Sequence, residues 1–320
     1  MLLYMGGTFG CYGEPLKPMP AEQFLQQLHQ LNELQVYDFD SQAAPHILDS
    51  SALNAAHWFD VIEQIHDLEQ QGYRNFILIH GTDTLSYASA VLSRFLAPHL
   101  RLMITGSQLP LFDITGQQLR RHTDALDNLS FAFECLKQVD FGVYVCFAQH
   151  LLYGASVLKQ HTHAWDAFNG KIYQTTDTSK AKISAVTINS EMKAKAENFK
   201  FLCITLSPQP IATLIETLNH FKQAAPHVLV LNAFGSGNFA ANAELITCIQ
   251  TISTQCLCVL STQVPFGQLS QDYAVSDWVR ESGLVRNNAQ SHADLYAKCL
   301  ELYLQYDSPA EWYQHWSIED

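Results

Sequence analysis

Two threonines stand at positions suited to catalysis. Thr8 lies on the turn Gly6-Gly7-Thr8-Phe9-Gly10, directly after the apolar run Met1-Leu2-Leu3-Tyr4-Met5. Thr82 lies in His80-Gly81-Thr82-Asp83-Thr84, directly after Phe76-Ile77-Leu78-Ile79. A threonine hydroxyl is a weak nucleophile until a neighbouring base takes its proton. Glycines beside it admit a substrate carbonyl, and backbone N–H groups on such a turn can hold an oxyanion, commonly the largest single catalytic term. Thr8 is therefore a candidate nucleophile, with an ordinary turn threonine as the plain alternative. Thr82 and Asp83 equally suit a helix cap. Lys159 is the third candidate, because a lysine partly desolvated beside a carboxylate and a hydroxyl can exchange a proton with them. A solvated surface lysine is its alternative. Distance along the chain does not decide between the two.

Such side chains need rigid elements to hold them. Apolar runs that end in polar turns recur at Ile47-Leu48 into Asp49-Ser50-Ser51, and at Arg101 to Ile104 into Thr105-Gly106-Ser107-Gln108. Between them, helical spacing covers Pro20 to Leu31, Trp58 to Leu68, Leu85 to about Leu96 and Thr123 to Leu136, and Phe141 to Phe147 is a further buried strand. The alternation predicts βαβ units, a mainly parallel sheet and ligand binding at the carboxyl ends of its strands. Gly10 to Pro20, with two glycines and three prolines, suits a mobile lid. From Thr175 to about Lys200 the chain turns polar and lysine-rich, apart from the short apolar Ile183 to Ile188. The expected organisation is an N-terminal α/β domain over 1–188, a linker over 189–200 and a smaller C-terminal α/β domain over 201–320.

Composition narrows the function. The chain has 320 residues, 48% hydrophobic and 15% charged, enough for two sizeable cores. Its formal net charge of -13 argues against nucleic acid or an anionic membrane as partner. The eight cysteines show no Cys-x-x-Cys pair, which suits reduced thiols in a core. No run reaches the length of a spanning helix and no basic-then-apolar leader precedes Gly6, so the expectation is a cytoplasmic protein. His161-Thr162-His163 raises a metal hydrolase, but no Asp, Glu or Cys cluster accompanies it and no metal or cofactor is expected. His80 is expected to be a hydrogen-bonded structural histidine.

The Gly-Gly-Thr turn at Gly6 to Thr8 and the His-Gly-Thr-Asp-Thr turn at His80 to Thr84 together resemble the bacterial cytoplasmic-type (type I) L-asparaginase family. The resemblance extends to Asp49-Ser50-Ser51, Trp58, Thr105-Gly106-Ser107-Gln108-Leu109-Pro110, Thr123-Asp124 with Asn128-Leu129, Trp165-Asp166-Ala167-Phe168 and Gly235-Ser236-Gly237-Asn238. It implies a two-domain asparaginase-like fold and hydrolysis of L-asparagine to L-aspartate and ammonia. Thr8 and Thr82 match the two catalytic threonines, and Asp83 and Lys159 their partners. Asp49, Ser50, Ser51, Asp83 and Ser107 would bind substrate, Asp83 at its ammonium and Ser50 at its carboxylate. A homodimer or homotetramer is implied as well. One departure stands out: Leu16-Lys17-Pro18 occupies the place of a Tyr-x-Pro, which leaves either Tyr12 as the substitute beside Thr8 or a poorly activated Thr8. Two other readings are a glutaminase-asparaginase of broader specificity and a weakly active amide-binding regulatory protein.

Overall fold

In the computed structural model of the protein, residues 1–96, 99–174, 188–267, 269 and 275–316 are described. The chain forms two compact units, Met1–Lys193 and Ala194–Asp320. The first runs β1 (Leu2–Tyr4), β2 (Cys11–Tyr12), β3 (Lys17–Pro18), α1 (Ala21–Gln30), β4 (Ser41–Ala43), α2 (Ala55–Gln70), β5 (Asn75–Ile79), α3 (Leu85–Phe95), β6 (Arg101–Thr105), α4 (Ala125–Cys135), β7 (Gly142–Phe147), β8 (His150–Tyr153), β9 (Leu158–Lys159) and β10 (Phe168–Asn169). Its main sheet has the order β4-β1-β5-β6-β7-β8. Every neighbouring pair is parallel except β7 and β8. The mixed α/β fold with a mainly parallel sheet agrees with the alternation read from the sequence.

Both faces of this sheet are covered, the usual condition of a parallel sheet. On one face Tyr4, Ile77, Ile79, Met103 and Tyr144 meet Phe24 and Leu28 of α1 and Leu129 and Phe133 of α4. The alternate residues Leu3, Phe76, Leu78, Leu102 and Val145 are fully buried as well, as the period of two requires. Each such side chain contributes about 1.5–3 kcal/mol by leaving water. Asn54 opens α2, its side chain accepting from the N–H groups of Ala56 and His57 at 3.1 and 3.4 Å. His57 Nδ1 accepts in return from the Asn54 N–H, a reciprocal cap.

The strand expected at Ile47-Leu48 lies earlier, at Ser41–Ala43, paired in parallel with Leu2–Tyr4. This is an edge strand, where polar residues suffice. Pro45 lacks the N–H that would continue the ladder, so Ile47 instead packs from a loop onto the core. Within the stretch read as linker, Ser190–Glu197 forms α5. Lys193 from its first half reaches Asp60 and, at 2.9 Å, Glu63 on α2. Lys180, Lys182 and the apolar run from Ile183 lie outside the described residues, Ile188 excepted.

The second unit contains β11 (Phe201–Thr205), α6 (Ile211–Ala224), β12 (Val228–Ala233), α7 (Ala243–Ser253), β13 (Leu257–Thr262), α8 (Val275–Glu281), β14 (Val285–Arg286), α9 (His292–Gln305) and α10 (Pro309–Trp316). Its four strands are parallel in the order β11-β12-β13-β14. None of the eight cysteines forms a disulfide, and five of them, Cys135, Cys146, Cys256, Cys258 and Cys299, are buried. Among the described residues no helix is long and apolar enough to cross a membrane.

Candidate active site

The two threonine turns meet because each contains a glycine at the point of contact. Gly7 has φ +84°, a conformation that L side chains rarely adopt. A Cβ on it would lie 2.4 Å from the Cα of Gly81. One on Gly81 would lie 2.6 Å from Ser50 Oγ. Segments some seventy residues apart in the chain therefore touch backbone to backbone at the carboxyl ends of β1 and β5. Phe9 then anchors the Thr8 turn: it is fully buried and meets Phe24 edge-on, with ring centroids 6.1 Å apart.

A cavity of about 500 Å³ opens above this contact, lined by Thr8, Thr82, Asp83 and Lys159 together with Asp49 and Ser50. Lys159 Nζ donates to Thr82 Oγ1 and to Asp83 Oδ1, both at 2.8 Å. The Lys159 side chain is 20% exposed and that of Asp83 61%, so the lysine is held inside while the carboxylate faces the opening. Ser50, nearly buried, accepts the Asp83 N–H at its Oγ at 3.3 Å, and its carbonyl accepts the Thr84 hydroxyl at 2.7 Å. Asp49 accepts from the Ser51 hydroxyl at 2.6 Å and the Ser51 N–H at 2.9 Å. These bonds hold its carboxyl below the usual carboxylate range. Two carboxylates and one ammonium thus face the cavity, a balance that favours a ligand with a positive group.

Three expected site residues stand elsewhere. Tyr12, the expected substitute beside Thr8, is not among the lining residues. Its ring packs onto the core under Gly116, with Lys17 Nζ 4.9 Å above it, since an aromatic ring gains more there than in a polar cavity. Ser107 is 1% exposed and its hydroxyl donates to the Leu109 carbonyl at 2.6 Å, which stabilises the turn after β6 and leaves it out of the lining. The Ser51 hydroxyl is spent on Asp49, so it orients a lining carboxylate from behind.

The cavity also has walls from motifs read in the sequence without a site role: Gln108, Leu109, Thr162, His163 and Trp165. Trp165 is 50% exposed, an uncommon place for so large a ring. Asp124, 4% exposed, fixes one wall by accepting the N–H groups of Gln108 at 2.8 Å and Leu109 at 3.0 Å. Gln108 Nε2 donates to the Ala164 carbonyl at 3.0 Å, tying this turn to the loop between β9 and β10. Of the His161 and His163 pair, only His163 lines the cavity. Among the described residues no group of three His, Cys, Asp or Glu side chains is arranged to hold a metal ion.

His80 underlies the site, fully buried. Desolvation, partly offset by its bond to the Gly81 carbonyl, pushes the imidazole down from 6.5 to about 4. The folded pKa lies below the unfolded one, so unfolding takes up a proton between these limits. Stability is complete above pH 6.5 and falls toward pH 4, by about 3 kcal/mol from this group. Denaturant unfolding at pH 7 and pH 4.5 should show that extra loss in the parent and not in a His80→Asn variant.

Comparison with known proteins accords with the geometry. L-asparaginase 1 of Escherichia coli K12 is 24% identical over 298 residues, covering 88% of this chain and 85% of that protein. The 60 kDa lysophospholipase of Mus musculus is 27% identical over 251 residues, 75% of this chain and 42% of that protein. L-asparaginase I of Vibrio cholerae superimposes with a TM-score of 0.79 at 21% identity, covering 99% of this chain and 95% of that one, and so shares the fold. Residues 1–192, which include every residue lining the cavity, match the family described as "Asparaginase, N-terminal". On that match over more than half of its length, the chain belongs to the asparaginase family of amidohydrolases.

Proposed function

We propose that this protein hydrolyses the side-chain amide of L-asparagine to L-aspartate and ammonia through an acyl-enzyme on Thr8. The observation that carries the reading is Lys159 Nζ held at 2.8 Å from both Thr82 Oγ1 and Asp83 Oδ1 in the cavity that also contains Thr8. Because Thr82 Oγ1 accepts from the lysine, its own O–H is free to point into the cavity as a donor. Thr8 Oγ attacks the amide carbon and backbone N–H groups of the glycine turns take the developing oxyanion. The C–N bond breaks as Thr82 gives its proton to the leaving nitrogen and is resupplied from Lys159, which takes up in turn, through the solvent of the cavity, the proton that the Thr8 hydroxyl gave up on attack. Water then adds to the ester, the C–Oγ bond breaks, and aspartate leaves with Thr8 reprotonated. Asp83 pairs with the substrate ammonium, and Ser50 with its neighbouring backbone receives the α-carboxylate.

The names of its relatives support the amide chemistry, and the two cavity carboxylates support an α-amino acid. Glutamine differs by one methylene, worth about 1–3 kcal/mol of discrimination, and the cavity of about 500 Å³ has room for it. Ammonia release should be measured on both amides in parallel. Higher kcat/KM on asparagine is the expected result; higher kcat/KM on glutamine would reassign the substrate, and no ammonia from either would overturn the hydrolytic reading.

A further inference from the structure

We propose that Trp58 and His80 act as positioning residues for the Thr82 turn, the indole N–H pinning the imidazole in the orientation from which its Nδ1–H holds the Gly81 carbonyl. Trp58 Nε1 lies 3.1 Å from His80 Nε2, and His80 Nδ1 lies 2.7 Å from the Gly81 oxygen. An indole nitrogen only donates, so Nε2 accepts. A neutral imidazole carries one N–H, so the proton sits on Nδ1 and is donated to Gly81. Trp58 is 3% exposed and His80 is fully buried, so both bonds are made out of reach of solvent. The downward shift of His80 keeps the ring neutral throughout the range in which amides are assayed.

The ring itself has little freedom. The His80 N–H donates to the Thr105 carbonyl at 2.8 Å, extending the β5–β6 ladder. A Cβ on Gly106 would fall 2.4 Å from the His80 carbonyl oxygen, so the turn after β6 passes close beside it. From this fixed base the Nδ1–H aims the Gly81 carbonyl toward the interior. In a planar trans peptide the next N–H points the opposite way, so the Thr82 N–H is turned from the ring toward the cavity side. The same peptide sets the starting direction of the Thr82 side chain that meets Lys159. Trp58, on α2 and remote from the cavity lining, thereby governs a peptide that borders it. The kinetic part of this inference rests on the amide-hydrolysing reading of the cavity; the tautomer does not.

The test combines nitrogen-15 NMR of the histidine rings and of the Thr82 amide with steady-state kinetics. In the parent, His80 should show a protonated Nδ1 and a bare Nε2. Trp58→Phe keeps an aromatic body and removes the donor. It should keep the proton on Nδ1, since the Gly81 oxygen only accepts, but loosen the ring, shift the Thr82 amide and speed its hydrogen exchange. Its kcat for asparagine should fall about tenfold with KM within about twofold, since small displacements of a catalytic group act on kcat. His80→Asn can still donate to Gly81 from near the Nδ1 position, and should keep the Thr82 signal and most of kcat. A parent with the Nε2–H tautomer overturns the proposal, and so does a Thr82 amide unmoved by Trp58→Phe or an Asn variant as impaired as that one. Should Trp58→Phe fail to fold, the parent tautomer and the His80→Asn variant decide. No ammonia from the parent, with the tautomer and the Thr82 responses as expected, would defeat the hydrolytic reading and leave the positioning pair standing.

Discussion

Thr8→Ala should reduce kcat for asparagine by at least about 10³-fold, the scale seen when a nucleophile is removed and only binding and oxyanion contacts remain. Aspartate should still bind within about threefold. The two effects separate because the substitution deletes one hydroxyl and leaves the walls intact: Phe9 is fully buried against Phe24, so the turn keeps its place, and Asp49, Ser50 and Asp83 stay around the cavity. Single-turnover ammonia release and calorimetry with aspartate read the two quantities independently. Tyr12→Phe is the control, with kcat expected to change little because the Tyr12 ring is not among the residues lining the cavity. Turnover retained in Thr8→Ala would assign the attack to another group.

Lys159→Met should lower kcat by about 10²–10⁴-fold, the range for losing positioned proton transfer. Methionine keeps the length and apolar stem, and only the ammonium is lost. Thr82 Oγ1 and Asp83 Oδ1, each 2.8 Å from Nζ in the parent, then have no shared donor, and the Thr82 hydroxyl is free to turn away from the leaving nitrogen. Lys159→Arg should not restore the rate, because a guanidinium does not surrender its proton. The stability effect should be small, within about 1 kcal/mol, since the Asp83 side chain is 61% exposed and exposed ion pairs contribute little. Initial rates together with a thermal melt show both sides. An unimpaired Lys159→Met enzyme would remove the lysine from the proton path.

The parts of the site readable from one sequence are those built on local rules. An apolar run ending in glycine and small hydroxyl residues marks a buried strand and its loop, and Thr8, Thr82 and Asp83 sit on such ends. Lys159 was reachable only through resemblance, because nothing local to β9 says that its ammonium crosses to the turn after β5. Ser41–Ala43 escaped notice because an edge strand needs no apolar run. The hydroxyls of Ser51 and Ser107 bond to Asp49 and to the Leu109 carbonyl, partners that sequence alone does not choose for a small hydroxyl. The Tyr12 ring packs against a core surface and is not among the residues lining the cavity, a placement that only the three-dimensional packing reveals. The walls His163 and Trp165 depend on a hairpin only two residues wide on each strand, too short for any periodicity to reveal.

The backbone contact between Gly7 and Gly81 has a practical consequence for altering substrate preference. With 2.4 Å between a hypothetical methyl on one and the Cα of the other, the floor of the cavity is a single rigid slab, and neither threonine can be re-aimed without dislodging its counterpart. The hairpin rim, carrying His163 and Trp165 and pinned through Gln108 by one side-chain bond to Ala164, has no such restriction. Engineering toward bulkier amides therefore belongs on the rim, where side chains can be exchanged while the reacting oxygens keep their mutual spacing.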